Sequence, residues 1–176
     1  DTSAGSFDRL KVPGGLDLLD RAVQFNVWRA PTDNDIEMVP QWQYAGYDRT
    51  QIRTYDTDTE TDGGCVRLRT NFSLASVSRQ PFVRGTVTWT VTAVGDIRVV
   101  IDADRDTEFP FLPRFGLRRF LPRGICRVRY QGMGPGESYR DKHRASWHGC
   151  FDADLRTQHI PYLKPQEYGS HWDCDR

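Results

Sequence analysis

The segment Gly85-Thr86-Val87-Thr88-Trp89-Thr90-Val91 carries an apolar residue at every second position after its glycine. Side chains alternate between the two faces of a β-strand, so this period of two indicates a strand with one buried face and one exposed face. The intervening threonines are β-branched and also favour extended backbone. The segment therefore predicts a half-buried antiparallel strand with Trp89 in the core.

The segment is part of the run 83–91, and comparable runs lie on both sides of it. They are residues 65–74, 97–103, 115–121 and 126–130. Glycine- and proline-containing turns separate them at 62–64, 94–96 and 122–124. Residues 40–46 suggest one short helix, because Pro40 suits a first helical turn and Gly46 suits the position after the last one. Residues 141–147 suggest a further turn. The pattern predicts an all-β sandwich or barrel, and without a linker or internal repeat we expect residues 1–176 to form one domain.

The charge balance excludes several classes of partner. The chain has 24 basic and 24 acidic residues, a formal net charge of zero, and no basic cluster. Nucleic acid and anionic membrane surfaces attract strongly basic patches, so neither is predicted as a partner. No run approaches the roughly 20 apolar residues of a membrane-spanning helix.

Four cysteines, Cys65, Cys126, Cys150 and Cys174, are widely spaced and form no C-x-x-C pair. Neither a zinc ribbon nor a dense disulfide framework has this spacing. We expect four reduced thiols and a cytoplasmic location.

Metal and nucleotide sites are not predicted. His143, His148 and Cys150 do not match the spacing of a tetrahedral zinc site. The acid-rich segment beginning at Asp33 starts like a calcium loop but lacks the glycine and the final glutamate that such a loop needs. The glycines around Pro135 do not open a helix with free N–H groups, so they predict a tight turn and no nucleotide cofactor.

A second unusual segment is Phe25-Asn26-Val27-Trp28-Arg29-Ala30-Pro31-Thr32-Asp33-Asn34-Asp35-Ile36. Its first half is apolar and extended. Pro31 then fixes the backbone, and the Asp and Asn side chains that follow favour turns. The segment predicts a strand that ends abruptly in a rigid polar loop.

This segment closely resembles the start of the C-terminal domain of large bacterial β-galactosidases of glycoside hydrolase family 2. Two later segments resemble the same domain in the same order: Gly134-Pro135-Gly136-Glu137-Ser138-Tyr139-Arg140-Asp141-Lys142, and Pro161-Tyr162-Leu163-Lys164-Pro165-Gln166-Glu167-Tyr168-Gly169. Glu37, Ser138, Arg140 and Lys142 depart from the usual residues of the family, which has Gly at the position of Glu37.

The resemblance implies a fold and a setting. The fold is an antiparallel supersandwich of the galactose mutarotase-like type, of which this chain would hold an incomplete portion. The parent would be a multidomain, homo-oligomeric enzyme that hydrolyses terminal β-D-galactosyl residues with two glutamates. Those glutamates belong to a barrel domain elsewhere, so no catalytic residue is expected here. Magnesium and sodium would likewise be bound by other domains.

The resemblance also implies roles for individual residues. A loop at the border of the substrate pocket would contain Asp33, Asn34, Asp35, Ile36, Glu37 and Met38, and residues 33–42 would act as a mobile flap. Residues with a structural role would be Trp28, Arg29, Glu137, Tyr139, Asp141, Gln166 and Glu167. For Glu137 and Glu167 we expect each carboxylate to hold loop backbone or an arginine rather than to react.

Several alternatives remain open at this point. Asp33 and Asp35 could brace the strand end by pairing with Arg29 instead of serving a flap. The whole chain could be a stand-alone carbohydrate-binding or mutarotase-like module. It could also be an interface domain that assembles oligomers without touching sugar.

Overall fold

The computed structural model describes residues 4–174, and these form two compact units. The first unit contains the chain up to Arg29 together with Met38–Leu121. The second contains Ala30–Glu37 together with the chain from Pro122 onward. The single domain expected for residues 1–176 stays a prediction.

Antiparallel strands are the main regular secondary structure of both units. In chain order they are β1 (Arg21–Asn26), β2 (Thr50–Asp62), β3 (Cys65–Ser76), β4 (Val83–Thr92), β5 (Ile97–Arg105), β6 (Gly116–Phe120), β7 (Arg127–Gly134) and β8 (Trp147–Asp154). One α-helix, α1 (Val39–Ala45), and three short 3-10 turns, Asp33–Asp35, Tyr47–Arg49 and Leu155–Thr157, complete the secondary structure of the described residues. The all-β, antiparallel class predicted from the sequence is confirmed, and the supersandwich layering stays a prediction.

The main sheet of the first unit is a meander in the order β2-β3-β4-β5. Its first hairpin turns at Gly63 and Gly64, whose φ angles of 53° and 84° are both positive. Positive φ at both central residues defines the turn that matches the twist of paired strands, and glycine adopts it without a steric penalty. A separate pair of strands, β1 and β6, completes the regular structure of this unit.

The core of the first unit lies on the face of β4 that carries Val83, Val87 and Trp89, all of which are buried. The period of two in residues 85–91 assigned Val87, Trp89 and Val91 to the inside, and of these Val91 is only partly buried. The Trp89 indole nitrogen donates to the carbonyl oxygen of Gly5 at 2.9 Å, and its ring meets Phe7 edge to face. The chain before β1 therefore packs on the buried face of the sheet.

Helix α1 confirms the helix predicted at residues 40–46. It begins with Pro40 in its first turn and ends before Gly46, which has a left-handed backbone with φ 82°. Trp42 is fully buried on this helix and meets the rings of Trp28 and Phe111 edge to face. The helix is short, so this burial of aromatic surface rather than intrinsic propensity stabilises it.

Tyr47, which follows α1, is buried, and its hydroxyl donates to the carbonyl oxygen of Pro110 at 2.6 Å. Burial raises the pKa of Tyr47 to about 12, while the charge of Arg105 lowers it and that of Asp106 raises it. The folded chain therefore keeps this proton over a range of pH in which the unfolded chain loses it.

We expect this difference to appear as a pH-dependent stability. Both the folded and the unfolded chain hold the Tyr47 proton below about pH 10, so the contribution of Tyr47 to the free energy of unfolding is complete there. Between about pH 10 and about pH 12 this contribution is lost, by at most about 1.4 kcal/mol per pH unit. The replacement Tyr47→Phe removes the ionisable group. The difference in unfolding free energy between wild type and variant, measured by urea denaturation across this range, should shrink as pH rises. A difference that stays constant would show that Tyr47 titrates alike in both states.

The second unit contains the hairpin of β7 and β8, in which Tyr130 lies opposite Phe151 and Gly134 opposite Trp147. The Tyr130 ring also contacts the His171 ring at 4.3 Å between centroids. Across both units, Cys65, Cys126, Cys150 and Cys174 are all present as thiols. Within residues 4–174 no helix is long and apolar enough to cross a membrane.

Candidate functional site

The three segments that carry the family resemblance, residues 25–36, 134–142 and 161–169, are called the first, second and third signatures below. The acid-rich part of the first signature folds into a closed turn. The Asp35 carboxylate accepts from both the backbone N–H and the hydroxyl of Thr32, at 2.7 and 2.8 Å. Pro31 precedes this pair and restricts the backbone that enters the turn. Asp35 is buried, so its charge is compensated by these donors rather than by water.

Asp33 ties this turn to the third signature. Its carboxylate accepts from the Lys164 ammonium at 2.9 Å, and its backbone N–H donates to the carbonyl oxygen of Pro165 at 2.9 Å. The hydrogen bond and negative charge of Asp33 hold the pKa of Lys164 above its usual range. The ion pair is exposed and contributes little, so the backbone hydrogen bond to Pro165 does most to hold the first signature against the third.

Glu137 joins the second signature to the third. One carboxylate oxygen accepts from the backbone N–H groups of Gly169 at 2.6 Å and Ile160 at 3.3 Å. The other accepts from the Tyr162 hydroxyl at 2.8 Å, with the Lys142 ammonium 4.0 Å away. The side chain is only 3% exposed. A buried carboxylate with this many donors fixes the loops that supply them.

Ser138, one of the residues that depart from the family pattern, is also buried within the second unit. Its hydroxyl donates to the carbonyl oxygen of Met133 at 3.0 Å and accepts from the backbone N–H of Trp172 at 2.9 Å. Its own N–H donates to the carbonyl oxygen of Ser170 at 2.8 Å. A hydroxyl can donate and accept at once, so serine satisfies two backbone groups here.

The remaining residues of these signatures lie nearer the surface. Tyr139 and Lys142 exchange two backbone hydrogen bonds of 2.9 Å, which closes a tight bend through Arg140 and Asp141. Their side chains and that of Gln166 are exposed. Glu167 is partly buried and accepts from the Ser170 hydroxyl at 3.4 Å.

The structure divides the proposed pocket loop between the two units. Asp33, Asn34, Asp35, Ile36 and Glu37 belong to the second unit, in which Asn34, Ile36 and Glu37 are exposed. Met38 belongs to the first unit, where it packs against the core.

Trp28 and Arg29 also belong to the first unit. Arg29 donates from its Nε atom to the carbonyl oxygen of Pro113 at 3.1 Å, and its guanidinium lies 5.7 Å from the centre of the Trp42 ring. Trp28 meets Trp42 at 6.4 Å, so both residues help to pack α1.

Sequence reasoning did not identify Tyr162, Lys164 and Gly169 as partners of the signature acids. All three lie inside the third signature, but their types carry no signal that specifies a carboxylate in another segment. Tyrosine and lysine are common on surfaces, and Gly169 acts through its backbone N–H, which every residue except proline has.

The arrangement as a whole is suited to holding loops. Both oxygens of Glu137 are engaged by donors of the chain itself, whereas a nucleophile or general acid must reach a substrate atom. Among residues 4–174 no three His, Cys, Asp or Glu side chains come close enough to hold a metal ion.

The signatures that meet in this geometry are also the segments on which the family resemblance rests. A family model described as β-galactosidase small chain matches residues 1–176. The chain belongs to this family. The β-galactosidase small-chain match covers both units and all three signatures.

Individual relatives agree with the family match. The chain is 37% identical over 175 residues to a β-galactosidase of Actinobacillus pleuropneumoniae. The matched region is 99% of this chain and 17% of the relative. It is 38% identical over 146 residues to a β-galactosidase of Staphylococcus xylosus, where the matched region is 83% of this chain and 15% of the relative. A β-galactosidase of Lactobacillus delbrueckii subsp. bulgaricus is 33% identical over 161 residues. The chain therefore spans less than a fifth of the length of these relatives.

Proposed function

We propose that this chain is the small-chain part of a β-galactosidase that hydrolyses terminal β-D-galactosyl residues by a retaining mechanism. The chain supplies architecture, and the catalytic glutamates lie in other domains of the polypeptide. The enclosure of Glu137 by backbone donors carries the architectural part of this proposal. Glu137 is the most buried glutamate of the signatures, and its hydrogen bonds support a role in holding loops. The names of the relatives support the reaction class.

The proposed partners follow from the same relationship. They are the other domains of the polypeptide, a β-galactoside bound by the assembled enzyme, and further copies of that enzyme in a homo-oligomer. We propose a cytoplasmic location, which the four cysteine thiols support.

The proposal can be tested by removing the chain from its parent polypeptide. The complete polypeptide should hydrolyse a nitrophenyl β-D-galactoside in preference to the matching glucoside. The same polypeptide without residues 1–176 should lose activity by about a hundredfold or more. Without this chain the loops at the active site lose their support, and small displacements of catalytic groups relative to the substrate are costly. Addition of the separate chain should restore part of the activity. Full activity of the truncated polypeptide would contradict the proposal.

We further propose that the exposed residues Asn34, Ile36 and Glu37 form a flap at the border of the galactose pocket. The expected flap of residues 33–42 is thereby shortened, because Met38 packs against the core of the first unit and Trp42 is buried in α1. The start of this segment is fixed by Asp33 and Asp35. Ile36 follows with 68% of its surface exposed, so it is available to cover a bound sugar. Glu37 is exposed and occupies the position where the family usually has Gly, which limits the backbone at that point.

The flap predicts a specific kinetic change. Glu37→Gly in the complete polypeptide should change kcat and KM for galactosides together, by about two- to tenfold, because backbone freedom shifts the balance between open and closed loops. The melting temperature should stay nearly unchanged. Glu37→Ala removes the same carboxylate without adding that freedom and should retain kinetics close to wild type. Wild-type kinetics for Glu37→Gly would refute the flap, and a large loss of stability would favour a bracing role for the segment.

A further inference from the structure

A shallow cavity in the second unit lies between the end of β8 and the third signature. It is lined by Val128, Leu155, Gln158, His159, Tyr168, Gly169 and His171. The role in holding loops does not explain why these side chains line the cavity. We propose that this cavity binds an uncharged saccharide, which goes beyond the proposed function because it concerns binding by this chain's own residues.

Aromatic rings form one wall of the cavity. Tyr168 stacks on His159 with ring centroids 4.7 Å apart and an angle of 29° between the planes. The Tyr162 ring lies 5.7 Å from the Tyr168 ring between centroids, and Tyr168 as a whole residue is 43% exposed, so it is accessible to a ligand. Val128 and Leu155 add aliphatic surface. The C–H face of a sugar ring packs on such flat apolar surfaces.

Two of the lining residues each carry a buried polar atom that has no partner among the described residues. These atoms are the side-chain oxygen of Gln158 and the Nδ1 atom of His171, both shielded from bulk water. Unpaired buried polar atoms are costly, and a ligand that satisfies them gains affinity. The terminal torsion of glutamine is soft, so the Gln158 amide can turn toward a ligand. A sugar hydroxyl donates and accepts, so it suits either amide orientation and either histidine tautomer.

The charges around the cavity exclude other ligand classes. None of the seven lining residues is Asp, Glu, Lys or Arg. Phosphate and carboxylate ligands are recognised by Arg and Lys side chains, and cations by carboxylates. The lining therefore favours a neutral ligand with several hydroxyl groups and an apolar face.

The wall of the cavity is held in place before any ligand binds. Gly169 donates its backbone N–H to Glu137 at 2.6 Å, and Gln158 donates its own to the carbonyl oxygen of Leu155 at 3.4 Å. A pre-formed site loses less conformational entropy on binding.

The test is a titration of the full ¹⁵N-labelled chain with D-galactose, lactose and the anionic sugar D-galacturonate. We expect saturable shifts of the amide signals of residues 155–171 with galactose or lactose, and much weaker ones with galacturonate. Tyr168→Ala should weaken binding about tenfold, which corresponds to about 1.4 kcal/mol for the lost aromatic contact. Tyr168→Phe keeps the ring and should bind like wild type, and Gln158→Leu should weaken binding.

The exposed tyrosine Tyr44 provides a matched control, since Tyr44→Ala removes a ring far along the chain and should leave affinity unchanged. The dispersion of the amide spectrum shows in each case that the variant is folded. The proposal is overturned by the absence of saturable shifts with both neutral sugars, by equal affinity for galacturonate, or by unchanged affinity in both Tyr168→Ala and Gln158→Leu. Hydrolysis is not measured, so these outcomes do not depend on the proposed catalytic role of the parent.

Discussion

Replacing Glu137 with alanine is expected to destabilise the second unit by about 3 kcal/mol or more, because a hydrogen bond to a charged group contributes about 1.5–3 kcal/mol. The variant removes three such bonds, which come from the backbone N–H groups of Ile160 and Gly169 and from the Tyr162 hydroxyl. Hydrogen exchange followed by mass spectrometry should show that peptides covering residues 158–170 lose their protection.

A glutamate of the same unit provides the control. Glu37 is exposed, so Glu37→Ala should change the free energy of unfolding by no more than about 0.5 kcal/mol. Peptides of the main sheet, such as residues 83–92, should keep their protection in both variants, because the loss is local to the second unit. Unchanged exchange of residues 158–170 in Glu137→Ala would show that Glu137 does not hold these loops.

A second large effect is expected for Gly46→Ala. Gly46 ends helix α1 with φ 82°, and a methyl group added there would collide with the Cβ and Oγ atoms of buried Ser76. The left-handed backbone costs a residue other than glycine about 1–2 kcal/mol. Overpacking against a buried residue adds about 1–3 kcal/mol. We therefore expect a loss of about 3 kcal/mol in urea denaturation.

Gly14→Ala separates the two contributions to this loss. Gly14 has φ 70°, but a Cβ atom there would meet nothing within 4 Å. Its replacement should cost only the backbone term, about 1–2 kcal/mol. Equal losses in the two variants would mean that Ser76 moves aside at no cost, which would contradict close packing between α1 and β3.

The strands that were predictable from the sequence are those that alternate apolar and polar residues over a buried face. Strand β4 and its neighbours β3 and β5 begin where the pattern predicts and end within two residues of it. Helix α1 was predictable for a different reason, since Pro40 and Gly46 mark its two ends chemically.

Strand β2 was missed because its sequence does not show an apolar face. Only Ile52 and Tyr55 are large and apolar among its 13 residues, and a break in register between Thr54 and Thr57 interrupts the alternation. Beyond that break threonines alternate with acids as far as Asp62. The strand lies at the edge of its sheet, where charged side chains meet water and discourage further pairing.

Strand β8 was missed although its pattern has a period of two. Trp147, Gly149, Phe151 and Ala153 share one face, but the glycine and alanine weaken the apolar signal. A larger residue at Gly149 would crowd the Phe151 ring, which lies 3.0 Å from where a Cβ atom would be. A contact of this kind depends on the three-dimensional structure and is not visible in the sequence.

The candidate site shows a similar limit. The resemblance selected Glu137 and Glu167 together, yet the two residues differ in the structure. Glu137 is enclosed by four donors or cations, whereas Glu167 is only partly buried. The number of donors that reach a carboxylate is set by how loops fold back on it, so residue type and spacing could not distinguish the two.

The central claim is that this chain holds loops and does not supply the reacting carboxylates. Its most direct test is kcat for a nitrophenyl β-D-galactoside in the complete polypeptide carrying Glu137→Gln or Glu167→Gln, measured per folded molecule. We predict kcat within about threefold of wild type for both variants, because neither carboxylate would reach the substrate. A loss of about a hundredfold or more in a fully folded variant is typical of a removed general acid or base and would contradict the account.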